Sequence, residues 1–147
     1  MQAKRTGAVM SQYYEVDGES VWNPATRASE LFLAHVRVHE EWVGVPSGFG
    51  PMENDECQID VPVFEAFVTA LLDRHNRTSH AIINALSDGF LATVLALAAR
   101  IGLDVRLPEP PATLDGFMAV QVPLSTDPDR PARLRAQVLE LQRAMPR

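Results

Sequence analysis

The sequence predicts an α+β domain dominated by helices: three to four of them, with an N-terminal β-hairpin and short C-terminal strands. Three observations carry this reading. Apolar residues recur at helical spacing over Pro24–Val43 and again from Asp60 onward. Phe90–Ile101 is apolar on nearly all sides, as a central buried helix must be. And Asp17-Gly18, a pair suited to the left-handed conformations of a type I′ turn, sits between two runs rich in aromatic and β-branched residues.

Residues 1–9 read as a disordered or extended N-terminus and 10–147 as a single globular domain. Gln12–Val16 and Glu19–Trp22 form the hairpin. Asn23 then caps the first helix, with Pro24 at its first position, where the missing N–H costs nothing. Gly44 and Pro46 end that helix. Ser47–Ile59 is a loop, glycine- and proline-rich first and acidic afterwards. Asp60 caps the second helix, and Ile59 can pack on Phe64 as a hydrophobic staple. Two boundaries stay open at its far end. Thr78, Ile82, Ala85 and Leu86 keep the phase, whereas Asn76–Ser79 are poor helix formers that favour a break. After Asp88-Gly89 the buried helix runs to Gly102. Leu103–Leu107 and Phe117–Leu124 read as strands around Pro108–Pro111. A last helix follows Pro131, with Leu134, Val138, Leu141 and Met145 as a stripe that docks on the parent domain. A homodimer would use the same stripe, with Arg130, Arg133, Arg135 and Arg143 meeting the acidic loop of a second copy.

Composition narrows the classes. A net charge of −6 argues against nucleic acid, whose affinity rests on Lys and Arg neutralising phosphates, and favours a basic protein surface. The longest apolar run, Phe90–Ala99, is about half of what a membrane span needs, so no membrane role is expected. Cys57 is the one cysteine, which excludes an internal disulfide, and the N-terminus lacks the apolar core of a signal peptide. A cytoplasmic location follows as the expectation.

The histidines are the chemical signal. His35 and His39 lie one turn apart within the stripe of Ala28, Leu31, Phe32, Val36 and Trp42, and His75 follows Phe64, Phe67, Val68, Leu71 and Leu72. An imidazole on an apolar stripe is hydrogen-bonded in the core, metal-bound, or used in chemistry. No cofactor motif is present. A divalent metal shared by His35, His39 and His75 is the disfavoured option, since the Glu of an H-E-x-x-H motif is misplaced: Glu40 follows the second histidine. Cys57 between Glu56 and Gln58 is a poor nucleophile, because negative neighbours oppose the thiolate.

Two function classes remain. The first is a small acidic interaction protein that masks a basic partner such as a toxin or enzyme through Glu53, Asp55 and Glu56. The second is a small-molecule enzyme of the isomerase, cyclase or lyase type. Its pocket between the first two helices would be walled by Phe32, Trp42, Phe64 and Phe67 and hold a small apolar molecule, with His35, His39 and His75 as acid and base.

Trp22-Asn23-Pro24, the loop Pro46-Ser47-Gly48 through Gly50-Pro51-Met52, Glu56-Cys57-Gln58-Ile59-Asp60 followed by Phe64 and Phe67, and the later Gly89-Phe90 together resemble an uncharacterised family of small bacterial proteins. The resemblance covers about residues 10–102, without the tail after Gly102. It implies no activity, cofactor or site residue.

The core is expected to comprise Phe32, Trp42, Phe64, Phe67, Leu71, Phe90, Val94, Leu95 and Leu97. Phe67→Ala should then cost about 3–5 kcal/mol in urea unfolding, through the cavity it leaves, and a loss below about 1 kcal/mol would put Phe67 on the wrong face.

Overall fold

The computed structural model describes residues 10–105 and 129–147. Strands β1 (Tyr13–Val16) and β2 (Glu19–Trp22) form the expected antiparallel hairpin, with Asp17 at φ 51° and Gly18 at φ 82° making the turn. A register shift between Tyr14 and Glu15 accounts for the imperfect alternation of the sequence. The acidic half of the predicted loop supplies a third strand, β3 (Glu56–Gln58), which pairs parallel to β1 in a sheet of order β2-β1-β3. Pairing is extended by the Tyr13 N–H donating to Asp55 O and the Ile59 N–H to Glu15 O.

Helix α1 spans Thr26–Val43, two residues later than the Asn23 cap implies. The Gln12 N–H donates to Pro24 O and Ser11 bridges to Ala25, so Asn23–Ala25 continue the extended path of the hairpin. Sheet-like pairing prevails over the local cap, and Asn23 Oδ1 is buried without a partner. At the other end Gly44 takes the left-handed conformation at φ 76° and closes the helix as the sequence predicts. Helix α2 (Val61–Arg77) begins as expected, the Asp60 carboxylate accepting from the Val63 N–H.

The open boundary resolves as a break. Thr78 Oγ1 accepts from the His80 N–H and His80 Nδ1 from the Ile82 N–H, so side chains cap the start of α3 (Ala81–Ile101). Asp88-Gly89 does not interrupt α3. Its 21 residues are long and apolar enough by length and composition to cross a membrane, well beyond the run read from the sequence. That apolarity serves the core: Phe90–Ala92 and Val94–Ala98 are buried. The core is the expected one, with Phe64, Phe67, Val94 and Leu97 fully enclosed, except that Trp42 is 44% exposed.

Helix α4 (Arg130–Ala144) packs along α3, burying Leu134 and Met145 and half-burying Val138 and Leu141. A dimer built on that stripe would have to displace α3. Arg100 fastens the end of α4, donating to the carbonyls of Val21, Gln142 and Met145. Arg130 fastens its start: Nη2 donates to Asp88 Oδ1 at 2.7 Å and to His75 Nδ1 at 2.9 Å. Arg130 is therefore engaged within the chain rather than free for a second copy. Of the predicted C-terminal strands, Leu103–Val105 carries no strand, and the remainder, with Phe117–Leu124, lies outside the described residues.

Gly48 is the most closely packed of the described glycines. It stands at φ +87°, and a Cβ there would meet Asp60 O and Phe64 N at 2.7 Å, both backbone. Gly48→Ala should cost at least about 2 kcal/mol, seen as a lower urea midpoint with unchanged m. His75 gives a pH signature. Burial, and then the Arg130 cation, lower its pKa from 6.5 to about 4. The unfolded chain therefore binds the extra proton first, and stability falls as pH drops from about 6.5 through 4. The loss attributable to this group approaches roughly 3 kcal/mol. Urea titrations of wild type and His75→Gln across that window check it: the variant should lose most of this slope.

Candidate functional site

A helix buries one arc of its surface, and α1 carries more apolar residues than that arc can hold. Ser29, Phe32, Val36 and His39 face inward. Leu31, His35, Val38 and Trp42, at positions i, i+4, i+7 and i+11, form a second stripe that no element covers. Opposite them, the first two turns of α3 present Ile83, Leu86 and Ser87, with Leu86 71% exposed. Between the helices lies a cleft of about 670 Å³, walled by Leu31, Val38, Trp42, Ile83 and Leu86. Beyond Leu31, His35 and Leu86 it continues into a second hollow of about 580 Å³, closed at its far end by Trp22 and Met145.

His39 is buried as predicted, 7% exposed, and His35 is exposed, contrary to the sequence reading. The arc assumed to face the core faces the cleft instead. His39 Nδ1 donates to the His35 carbonyl at 2.8 Å, which leaves Nε2 as a bare acceptor. The His39 ring stacks on Phe90 with centroids 4.1 Å apart. Burial, the dominant cause, pushes its pKa below the usual histidine value, so the ring is neutral at pH 7. Both imidazoles line the cleft, with ring centroids 6.3 Å apart.

His75 does not join them there. It shares with His39 only a cavity of about 20 Å³ on the α2 side of α1, where the sequence reading put the substrate pocket. With Nδ1 accepting from Arg130, its remaining edge is Nε2–H. A cation shared by all three histidines would have the Arg130 guanidinium beside it. Among the described residues no group of three or more His, Cys, Asp or Glu is arranged to hold a metal ion.

The predicted pocket walls divide. Phe32 lines the second hollow and Trp42 the main cleft, whereas Phe64 and Phe67 are sealed in the core and reach neither. Arg74 holds Trp42 from behind, its guanidinium 4.8 Å from the ring centroid and donating to Trp42 O. Glu53, Asp55 and Glu56 surround a tight turn in which the Glu53 and Glu56 backbones bond each other and Asp55 Oδ1 accepts from Gln12 Nε2. Cys57 is fully buried and donates to Gly50 O, and burial lifts its thiol to about 11.

The sequence reading missed Leu31 and Val38 as site residues, and all of Ile83, Leu86 and Ser87. The surplus width of the apolar arc on α1 was the available signal. The matching one on α3 was an uncharged run, Ala81–Ser87, lying ahead of the core positions.

No curated protein and no solved structure matches the chain. A family model described as a family of unknown function, DUF6086, matches residues 10–147. The match includes the tail after Gly102, so the resemblance limited to residues 10–102 was too short. The chain belongs to this family of unknown function.

Proposed function

We propose that the protein binds a small apolar molecule in the cleft between α1 and α3, with His35 and His39 supplying the polar contacts. The observation that carries this is the cleft itself. Its volume of about 670 Å³ is typical of small-molecule sites, and its walls are mostly apolar with a few polar groups among them. Leu31, Val38 and Leu86 of its walls are each more than 60% exposed, an arrangement that is costly in water unless something covers it.

A second reading, proton transfer on the bound molecule of the isomerase, cyclase or lyase type, is supported by the two imidazoles opening on the same space. The basic-partner reading through Glu53, Asp55 and Glu56 rests on charge alone, since Asp55 is engaged by Gln12.

The test uses N-phenyl-1-naphthylamine, a neutral fluorescent apolar probe. Wild type should bind it saturably with one site per chain and quench Trp42 emission, a quenching lost in Trp42→Phe. Leu31→Glu and Leu86→Glu should weaken binding at least about tenfold, because a charge in an apolar site is strongly disfavoured. Their Tm should hold, both positions being exposed. Non-saturable binding, or binding that both variants retain, would overturn the reading.

A further inference from the structure

The outer line of α1 carries a pattern that the core does not explain. Arg27, Leu31, Ala34, Val38 and Glu41 stand at alternating four- and three-residue spacing. They therefore share one stripe of the helix, on the side away from buried Ser29, Phe32 and Val36. Leu31 and Val38 are 63% and 61% exposed, Arg27 and Glu41 are also exposed, and Ala34 between them is half-buried. From either end the stripe runs charge, aliphatic, alanine, aliphatic, charge, and the two charges are opposite in sign. Glu30 and Arg37 border it on the side away from the cleft. They too are opposite charges, placed nearly symmetrically about Ala34. No ion pair among the described residues engages any of these four charged side chains.

Such a stripe is complementary to its own reverse. We propose that two copies of the chain pair through α1 as an antiparallel dimer, about a two-fold axis at Ala34. Arg27 then meets the partner's Glu41, Leu31 meets the partner's Val38, and Glu30 meets the partner's Arg37, each contact being made twice by symmetry. The alanine at the centre lets the two helices approach closely. Parallel pairing would instead set every charge beside its own copy. The dimer goes beyond the small-molecule reading and does not need it. Leu31, Ala34 and Val38 also line the cleft, so the partner's helix borders its mouth. A dimer adds to Tm only at chain concentrations above its Kd, so the Leu31→Glu comparison above applies to the dilute chain.

Sedimentation equilibrium from micromolar to submillimolar concentration tests the pairing. Wild type should dimerise. Arg27→Glu alone and Glu41→Arg alone should each raise the dimer Kd at least about tenfold, because each reversal sets like charges together at two symmetry-related places. Affinity should return to the wild-type level in the double variant, and equally when the two single variants are mixed, since every charge then faces its opposite. A role of either residue in the fold alone would show no such rescue. If a variant loses its helical circular dichroism, Glu30→Arg and Arg37→Glu make the same exchange on the neighbouring pair. A wild type that stays monomeric throughout, leaving the stripe to another occupant, would overturn the proposal. So would a dimer indifferent to both single reversals, or reversals that neither the double variant nor the mixture rescues.

Discussion

The ring of Phe32 is the contact on which the rest of the fold is arranged. Tyr14, Trp22 and Phe49 meet it edge-on at centroid distances of 5.8, 5.1 and 5.4 Å, and Phe90 lies tilted against it at 5.7 Å. One side chain of α1 thereby touches both hairpin strands, the segment before β3 and the central helix. Edge-to-face contacts of this kind are directional, so they fix the rotation of α1 about its axis as well as its distance. Beneath this cluster Tyr14, wholly enclosed, shares a 2.8 Å hydrogen bond with Ser29 one turn back on α1. Apolar surroundings push the phenol far above its usual range and keep it neutral. The rotation set by Phe32 is thus confirmed by a buried polar pair that tolerates no other phase.

That rotation has a cost on the opposite side. Once Phe32, Val36 and His39 point inward, Leu31, His35, Val38 and Trp42 must turn toward α3. The two helices meet there through Phe90, which stacks on His39, and leave the first two turns of α3 facing open space. Two polar side chains tie the ends of these elements together. Glu40 Oε2 accepts from both the N–H and the hydroxyl of Ser47, tying the end of α1 to the turn at Gly48. Arg100 satisfies three carbonyls at the junction of β2, α3 and the C-terminal end. Among the described residues Asn84 Oδ1 is buried without a partner, as are Gln12 Oε1, Ser20 Oγ, Asn23 Oδ1 and Thr26 Oγ1 around the hairpin and the start of α1.

Local signals made most of the fold legible. The Asp17-Gly18 turn, the Asp60 cap, the Gly44 and Gly102 stops and the stripe of the last helix each depend on nearest neighbours and were read correctly. Elements that depend on distant partners were not. Strand β3 exists because β1 offers it an edge, and nothing within Glu56–Gln58 alone announces that. The Asn23 cap was lost to pairing with residues on the hairpin. Asp88-Gly89 read as an interruption because its composition is that of a turn, yet Arg130 from far along the chain holds Asp88 in mid-helix. The histidines illustrate the same limit. Periodicity put His35, His39 and His75 on apolar faces, but which face is covered depends on where neighbouring helices lie. His39 proved buried, His35 open, and His75 enclosed behind a salt bridge.

The burial of His39 supports the proposed binding role more than a role for that ring in proton transfer. An effective general base has a pKa near the working pH, so that it is both available and strong enough to take the proton. Burial lowers that of His39, making it a weaker base, though a reliably neutral one. The Nδ1 bond to the His35 carbonyl fixes the tautomer and leaves the Nε2 lone pair as a defined acceptor. His75 is driven further in the same direction by Arg130, which stabilises α4 while removing the imidazole from any acid role near neutral pH. His39 is thus held uncharged with Nε2 as its acceptor edge, which suits hydrogen bonding to a neutral ligand in the proposed cleft.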